Sequence, residues 1–546
     1  DSVASRGLGD VYKRQVLHLH FIFKFICWMF CRKFLFPGCL LFCLGLSSVA
    51  FARAAEPNNW YRLNPDSVQG AAIDAALQYL SKYHQKKQKP IIVGIIDSGI
   101  DTTVVDLQDA LWRNPKEVAG DGKDNDKNGY IDDVHGWNFL GTADGTFNMT
   151  SAGTEEYRQF KRLYPKYKNI NQVNTADSTE YHYYLQMKKK AGIANYLRMY
   201  QFSIIKNKAL QTMDSLVRRY AAIDTITING VMHLQVPDTL WEKAAEKIYA
   251  DLIRAKTTMK WTQFVHQQNN HLQLMKTRID GIEHAKDKRL LMGDNLLDET
   301  DRFYGNPILT IDGCYHGTFV AGVIAGKGKN GHEIWQGVYP KAKLMIIRAA
   351  PDGDEYDKDI ASAIRYAVDN GAKVINISLG KYTSPTPQMV NNALAYAAQK
   401  DVLIVHAAGN NHLNVDSVDY FPTGLDAHGK FYPNFIRVGA STKKGAVSSI
   451  SNYGKQRVHL FAPGEEITSV VPGNQYATEN GTSIAAPIVS GVAALIRSYF
   501  PKLKASQVVK ILMNSVQPMK NKDACISGGS LNALQAVKLA EKTKRR

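Results

Sequence analysis

The chain has 546 residues, 45% of them hydrophobic and 21% charged, which is ordinary for a globular protein that buries a sizeable core. Its formal net charge of +17 could attract nucleic acid, but no basic motif interleaved with aromatic residues accompanies it, so we expect no nucleic-acid partner. Four of the six cysteines precede residue 53, which leaves Cys314 and Cys525. Two cysteines are too few for a disulfide framework or a zinc site, but they could form a single disulfide bridge.

The chain begins with a strongly apolar leader. Met29 is followed by basic residues, an apolar stretch, and Ala50-Phe51-Ala52, which fits the rule for signal-peptide cleavage. This pattern predicts a signal peptide at residues 29–52 and a non-native upstream segment at residues 1–28. The alternative is a membrane anchor, but the apolar run is short and Pro37-Gly38 interrupts it. We therefore expect a secreted or periplasmic protein with no stable membrane anchor.

Strand and helix patterns alternate on both sides of a central region. Short apolar runs rich in β-branched residues are typical of strands buried on both faces of a parallel sheet. These runs are Ile91–Ile96, Lys343–Arg348, Lys373–Ser378 and Val402–His406. Helical patterns follow at Asp359–Asn370 and Thr386–Lys400. The alternation predicts an α/β domain with a mostly parallel sheet, formed by residues 53–141, which include an N-terminal extension, and by residues 308–546.

A loop after the first strand is dense in oxygen ligands. Residues 124–129 match the D-x-[DN]-x-[DN]-G core of an EF-hand loop, in which several oxygens surround one hard cation. The predicted ligands are Asp124, Asp126, Asn128, Tyr130 through its carbonyl, and Asp132. The twelfth position is His135 instead of Glu, so the loop is not a full EF-hand, and Asp133 could supply the missing carboxylate. The pattern predicts structural calcium, with a solvated acidic turn as the alternative.

Residues 142–307 interrupt the alternation of strands and helices. They are rich in Lys, Glu, Gln, Leu and Tyr, and glycine and proline are sparse. Their apolar residues recur often enough to favour packed helices over the alternative, a disordered linker. We therefore predict a mostly helical insertion within the α/β domain.

Four short motifs place reactive side chains after strands or at the starts of helices. Asp97 ends the first strand, at the edge where α/β proteins place their sites, and Asn410 follows a later strand. His316 and Ser483 each open a run of small residues that predicts a tightly packed helix. A helix start offers free N–H groups that favour an oxyanion. Each motif alone also fits a structural role, such as a turn, a buried histidine or a helix cap.

In combination, these motifs resemble those of the subtilisin-like serine peptidase family. The resemblance lies in the chain order Asp, His, Asn, Ser and in the segments D-S-G-I, H-G-T-F-V-A-G and G-T-S-I-A-A-P. The resemblance covers roughly residues 90–141 and 305–539 and implies a three-layer fold around a central, mostly parallel sheet. It implies that Ser483 is the nucleophile, His316 the general base, Asp97 its orienting partner and Asn410 an oxyanion donor. The implied activity is that of a secreted endopeptidase that cleaves protein or peptide substrates through an acyl-enzyme intermediate.

The resemblance also implies how a substrate binds. The implied contacts are Ser378, Leu379 and Gly380, which would pair with the substrate backbone, and Ala407 and Gly409, which would line the primary specificity pocket. Small residues in that pocket predict room for a large apolar side chain. Lys381 departs from the family pattern and is expected to reshape or charge the cleft.

Two other functions stay open from the sequence. One is an inactive binding module that uses the insertion as its contact surface, and the other is a hydrolase of esters or non-protein amides. Because the insertion connects the segments that carry Asp97 and His316, we expect it to flank the active-site face. The sequence makes no prediction of the oligomeric state.

Overall fold

A computed structural model describes residues 59–66, 68–83, 90–170, 178–255, 257–283, 287–328 and 335–544. The predicted upstream segment, residues 1–28, and the predicted signal peptide, residues 29–52, lie outside these ranges. Both therefore remain predictions from the sequence.

The described strands and helices follow the predicted alternation. The strands are β1 (Ile92–Asp97), β2 (Gly136–Asn138), β3 (Ser151–Gly153), β4 (Lys343–Arg348), β5 (Asp352–Gly353), β6 (Val374–Ile377), β7 (Leu403–Ala407), β8 (Phe435–Ser441), β9 (Leu460–Pro463), β10 (Ile467–Val471), β11 (Gln475–Glu479), β12 (Gln517–Pro518) and β13 (Gly529–Ser530). The helices are α1 (Ile73–Leu80), α2 (Val105–Gln108), α3 (Glu155–Tyr167), α4 (Ser178–Lys190), α5 (Ile193–Tyr220), α6 (Ile228–Met232), α7 (Thr239–Arg254), α8 (Trp261–Glu283), α9 (Tyr315–Ala325), α10 (Asp357–Asp369), α11 (Pro387–Gln399), α12 (Thr482–Tyr499), α13 (Ala505–Met513) and α14 (Ala533–Lys544).

Nine of the described strands form one central sheet in the order β12-β13-β9-β8-β7-β6-β1-β4-β2. Every neighbouring pair is parallel except β12 and β13. Strand β1 lies between β4 and β6, so Asp97 at its carboxyl end aligns with Arg348 of β4. The carboxyl ends of β1, β6 and β7 therefore meet at one edge of the sheet, as expected for a site in an α/β fold.

Helices cover both faces of the sheet, which explains why its strands are apolar on both sides. Ile95 belongs to one core, packed with α9 and α12, whereas the next residue, Ile96, belongs to a second core, packed with α10 and α11. Neighbouring side chains of a strand point to opposite faces, so a strand covered on both sides reads as a continuous apolar run. The predicted three-layer α/β fold is confirmed.

The insertion is mostly helical in its described residues, from α3 to α8, and it has hydrophobic clusters of its own. One cluster joins α5, α7 and α8 around Trp261, whose indole N–H donates to Asp214 Oδ1 at 2.8 Å. A second joins α3 and α4 around Phe160 and Tyr184, whose rings stack. The structure therefore agrees with packed helices instead of a linker, and the boundaries at residues 142 and 307 remain predictions.

Two further features of the described residues are the state of the cysteines and one long apolar helix. Cys314 and Cys525 are both buried free thiols, so the bridge that the sequence left open is not formed. Among the described helices, Thr482–Tyr499 is long and apolar enough to cross a membrane, with a mean hydropathy of 1.2, but 89% of it is buried inside the fold. A buried position of this kind is that of a core helix.

Candidate active site

Asp97 and His316 form a hydrogen-bonded pair at the carboxyl end of β1. The Asp97 Oδ1 atom accepts hydrogen bonds from His316 Nδ1 at 2.8 Å and from the Ser98 backbone N–H at 2.8 Å. The carboxylate is 3% exposed, whereas the His316 side chain is 42% exposed. With its Nδ1 proton donated to Asp97, the neutral imidazole presents a basic Nε2 atom.

A glycine lets the histidine helix approach the end of β1. Gly317 is the third residue of α9, and a β-carbon built on it would lie 2.0 Å from the carbonyl oxygen of Gly99. Any side chain at this position would push α9 away from the loop that follows Asp97. The glycine in the H-G-T motif therefore sets the distance between His316 and its carboxylate.

The surroundings of His316 favour its protonated form. Desolvation lowers the pKa of His316, but the Asp97 charge and hydrogen bond, with a weaker contribution from Glu479, raise the pKa above its ordinary value of 6.5. Glu479 is itself held nearby, because its Oε1 atom accepts a hydrogen bond from Tyr315 at 2.9 Å. The site is thus built to stabilise an imidazolium.

Ser483 is the second residue of α12, at the helix end that carries free N–H groups. Its backbone carbonyl accepts a hydrogen bond from Ser378 Oγ at 2.8 Å. Behind this contact, Asn376 Nδ2 donates to Ser378 Oγ at 2.9 Å and Ser490 Oγ donates to Asn376 Oδ1 at 2.8 Å. This buried network fixes the start of α12 to the end of β6, and the sequence motifs did not reveal it.

Asn410 is oriented by the residue that precedes Ser483. Its Oδ1 atom accepts hydrogen bonds from the Thr482 backbone N–H and from Thr482 Oγ1, both at 2.9 Å. A β-carbon built on Gly481 would lie 2.9 Å from Ser483 Oγ and 3.5 Å from Asn410 Nδ2. The hydroxyl and the amide donor thus border the same small space beside Gly481, as an oxyanion site requires.

The two halves of the site lie on helices that pack against each other, α9 with His316 and α12 with Ser483. A cleft beside His316 is lined by residues at the carboxyl edge of the sheet, including Asp97, Leu379 and Glu355. No hydrogen bond joins His316 and Ser483 among the described contacts. Such catalytic contacts are often long in the free enzyme and shorten when substrate binds.

The predicted specificity pocket is not open. A β-carbon built on Gly380 would lie 2.6 Å from the ring of Tyr420, and one built on Gly409 would lie 2.9 Å from the same ring. The Tyr420 ring therefore occupies the space between these two segments, where the sequence predicted room for a large apolar side chain. An antiparallel bridge between Lys381 and Phe421 brings the ring there, a contact that no local pattern indicated.

Lys381 is buried instead of projecting into the cleft. Its side chain is 1% exposed, and its Nζ atom lies 3.0 Å from Glu155 Oε2 and 2.9 Å from Asp357 Oδ1. It also donates to the backbone carbonyl of Glu355 at 2.8 Å. The expectation that Lys381 charges the cleft surface was wrong, because the first residue of α3 supplies a carboxylate that holds it inside.

The start of the insertion lies directly beside the cleft. Strand β3 pairs with β5, and the Glu156 carboxylate accepts a hydrogen bond from Thr383 Oγ1 at 2.6 Å. With the Glu155–Lys381 pair, these contacts attach α3 to the segment that follows Gly380. This placement agrees with the expected position of the insertion at the active-site face.

The acidic loop brings together a different set of ligands from the predicted one. Carboxylate oxygens of Glu117, Asp124 and Asp126 all lie within 4.8 Å of one another. Glu117 is 5% exposed and its Oε2 atom, although buried, has no hydrogen-bond partner among the described residues. The Asp132 carboxylate points elsewhere and accepts N–H groups of Gly120 at 2.7 Å and Gly122 at 3.0 Å.

The other predicted ligands also have partners within the loop. Asn128 Oδ1 accepts the Tyr130 N–H at 2.8 Å, and Asn128 Nδ2 donates to Asp133 Oδ2 at 3.0 Å. Asp133 is fully buried and binds Tyr366, and burial raises its pKa to about 6. Glu117 precedes the motif and matches no spacing rule, so sequence reasoning missed it.

The sequence of this chain is similar to those of known proteins. Residues 292–535 match the Peptidase_S8 profile, described as the subtilase family. The chain is 35% identical over 243 residues to the thermophilic serine proteinase of Bacillus sp. (strain AK1), covering 44% of this chain and 55% of that protein. It is 31% identical over 297 residues to the major intracellular serine protease of Bacillus subtilis (strain 168), covering 53% of this chain and 89% of that protein.

Among solved structures, a cold adapted subtilisin-like serine proteinase is 29% identical, with 40% of this chain and 75% of that chain covered and a TM-score of 0.35. The match to the thermophilic proteinase spans about half of that protein's length, 55%. The match to the intracellular protease spans 89% of its length at 31% identity. On that match, the chain belongs to the subtilase family.

Proposed function

We propose that the chain is a serine endopeptidase that cleaves peptide bonds by acyl transfer, with Asp97, His316 and Ser483 as its triad. The observation that carries the proposal is the buried Asp97 carboxylate bound at 2.8 Å to the imidazole of His316, on a helix packed against the one that Ser483 opens. A hydrogen-bonded acid and base beside a hydroxyl at a helix start is the arrangement needed to activate a serine.

The mechanism begins when a substrate carbonyl enters the space beside Gly481. His316 Nε2 takes the hydroxyl proton as Ser483 Oγ bonds to the carbonyl carbon, and Asp97 stabilises the imidazolium. The negative charge on the carbonyl oxygen is met by Asn410 Nδ2 and by the backbone N–H of Ser483. His316 then gives the proton to the leaving amine, and water repeats the sequence to release the acid product.

A fluorophosphonate probe tests this assignment, because it reacts only with an activated serine. The wild-type protein should label at one residue, and Ser483→Ala should not label. Ser498→Ala, a matched serine change near the far end of the same helix, should label like the wild type. If the wild type did not react, the inactive binding module would be the correct alternative.

We also propose that the protein acts outside the cytoplasm, on protein or peptide substrates. This part of the proposal rests on the signal peptide predicted at residues 29–52.

We propose that calcium binds the acidic loop through Glu117, Asp124 and Asp126. Their carboxylates converge within 4.8 Å, and no described residue donates a hydrogen bond to the buried Glu117 Oε2, so a hard cation could bind that atom. When bound, the ion would neutralise the clustered charges of this loop. It has no part in the bond-breaking steps.

Chelation should therefore lower the melting temperature of the protein by several degrees. An ion present at 100 times its Kd stabilises the folded state by about 2.7 kcal/mol. Glu117→Gln should remove most of the difference between calcium and chelator, measured by calorimetry. Asp132→Asn, a matched change in the same loop, should keep that difference, and an equal loss in both variants would favour the ligand set predicted from the sequence.

A further inference from the structure

A recess directly beside Ser483 is bounded by the segment that follows β6 and by the segment that begins at the last residue of β7. One wall is residues 378–380, and Ser378 Oγ donates to the Ser483 carbonyl at 2.8 Å. The other wall is residues 407–409, and the Gly409 N–H donates to Thr482 Oγ1 at 3.0 Å. Both walls are thus bonded to the start of α12, so the space between them adjoins the nucleophile.

The ring of Tyr420 fills this recess. Its nearest atoms lie 2.6 Å from a β-carbon built on Gly380 and 2.9 Å from one built on Gly409, so it touches both walls. The residue is 6% exposed. Its ring also stacks on His406 with centroids 5.5 Å apart, and it packs on Tyr382 at 5.1 Å.

A buried arginine binds the backbone of Tyr420. Arg437 Nη2 donates to the carbonyl oxygens of Tyr420 at 3.0 Å and of Pro422 at 2.8 Å. Burial lowers the pKa of Arg437 to about 10, so it stays charged at neutral pH. A charged group bonded to two carbonyls holds the loop firmly.

His406 completes this support. Burial, with the Arg437 charge, holds the pKa of His406 far below its ordinary value, so the ring is neutral. Arg437 Nε donates to His406 Nδ1 at 3.4 Å, and His406 Nε2 then donates to the carbonyl of Leu379 at 2.9 Å. The backbone pairing of Lys381 with Phe421 adds to this support, so the backbone that carries the Tyr420 ring is held by several hydrogen bonds.

The position of the oxyanion donor determines which substrate residue meets this ring. Asn410 directly follows Gly409, so a carbonyl oxygen bound at its amide places the attacked residue against residues 407–409. The side chain of that residue branches from the Cα bonded to the attacked carbonyl carbon, which directs it into the recess. With the Tyr420 ring already there, only a small side chain is expected to fit.

We propose that Tyr420 is a specificity-determining residue that restricts cleavage to peptide bonds that follow small residues: glycine, alanine or serine. The inference rests on the proposed peptidase function and names its substrate class. It differs from the expectation drawn from the small residues of the recess walls, which predicted acceptance of large apolar side chains.

Peptide p-nitroanilides that differ only in the last residue test the proposal. For the wild type, kcat/KM should be at least about 10-fold higher after alanine than after phenylalanine, since one methylene in a tight pocket already changes it by about 10-fold or more. Tyr420→Ala should raise kcat/KM after phenylalanine by at least about 10-fold, and Tyr420→Leu should give an intermediate value. Tyr432→Ala, a half-buried tyrosine outside the recess, should leave the preference unchanged.

Fluorophosphonate labelling separates this inference from the function on which it rests. A wild type that labels at Ser483 but cleaves equally well after phenylalanine and alanine overturns the role of Tyr420 alone. An unchanged preference in a labelled Tyr420→Ala or Tyr420→Leu variant does the same. A wild type that does not label overturns the proposed function and this inference together.

Discussion

Replacement of His316 by alanine is expected to lower kcat about 10⁶-fold, the size of loss known when subtilisin loses this base. Without the imidazole, Ser483 keeps its proton at neutral pH, and nothing returns a proton to the leaving amine. Asn410 and the helix N–H groups would remain, so a slow residual rate above that of water is expected. Active-site titration followed by single-turnover kinetics measures the change.

The matched control is His428→Ala, because His428 is exposed on a loop and is not among the residues that line the cleft. Its kcat should equal that of the wild type. Circular dichroism should show both variants folded. A folded His316→Ala protein that kept more than about a thousandth of the wild-type kcat would contradict the assigned role.

The pH dependence gives an independent check on the same residue. His316 must be neutral to act as a base, and its pKa is raised above 6.5 mainly by Asp97. Activity should therefore fall as the pH drops through a midpoint above 6.5 in the kcat/KM profile. In Asp97→Asn the loss of the carboxylate charge should move this midpoint downward, whereas a midpoint unaffected by the change would exclude His316 as the titrating group.

Replacement of Lys381 by methionine is expected to reduce the free energy of unfolding by about 3–5 kcal/mol, the cost of breaking a buried ion pair. Lys381 is 1% exposed and binds Glu155 and Asp357, which are 3% and 4% exposed. Burial lowers the pKa of Lys381, but Asp357 and Glu155 raise it above its ordinary value, so the lysine is charged. Its removal leaves the buried Asp357 carboxylate without its cation and leaves Glu155 with Arg158 alone.

The sign of the pH effect follows from the carboxylates that remain. Burial already raises the pKa of Glu355 to about 7 even with Lys381 nearby, and removal of the lysine raises it further. A carboxyl whose pKa is higher in the folded state than in the unfolded state lowers stability as the pH rises. The deficit of Lys381→Met should thus be larger at about pH 8 than at about pH 5, measured by urea unfolding.

Two variants make this prediction specific to the buried cluster. Lys455→Met breaks a solvent-exposed pair with Asp523 and should leave the stability nearly unchanged. Adding Asp357→Asn to Lys381→Met should recover part of the loss, because the carboxylate that loses its lysine is then neutral, whereas Glu155 keeps its pair with Arg158. A deficit below about 1 kcal/mol for Lys381→Met, or the same deficit for Lys455→Met, would contradict the buried pairing.

The cluster also connects the insertion to the cleft. Glu155 is the first residue of α3, and Arg158 of the same helix pairs with it and donates to the Asp354 carbonyl at 2.7 Å. Loss of Lys381 should therefore loosen α3 from the segment after Gly380. Faster hydrogen exchange in residues 155–167 of Lys381→Met would report this directly.

The sequence by itself determined the fold class and the chemistry of the motifs. The run Ile91–Ile96 became β1, shifted by one residue, because a strand covered on both faces must be apolar throughout. Asp97, His316, Asn410 and Ser483 were recognisable because each sits in a short motif whose glycines and small residues serve local packing, as Gly317 does against Gly99.

Only the tertiary structure decided the shape and electrostatics around those motifs. Tyr420 meets Gly380 and Gly409, and Glu155 meets Lys381 across 226 positions of the chain. Glu117 likewise joins Asp124 and Asp126 from outside the recognisable loop. Contacts of this kind depend on which surfaces pack together, and no local periodicity or motif spacing encodes them. For this reason, a pocket whose walls are small residues can still be filled by an aromatic ring from a distant segment.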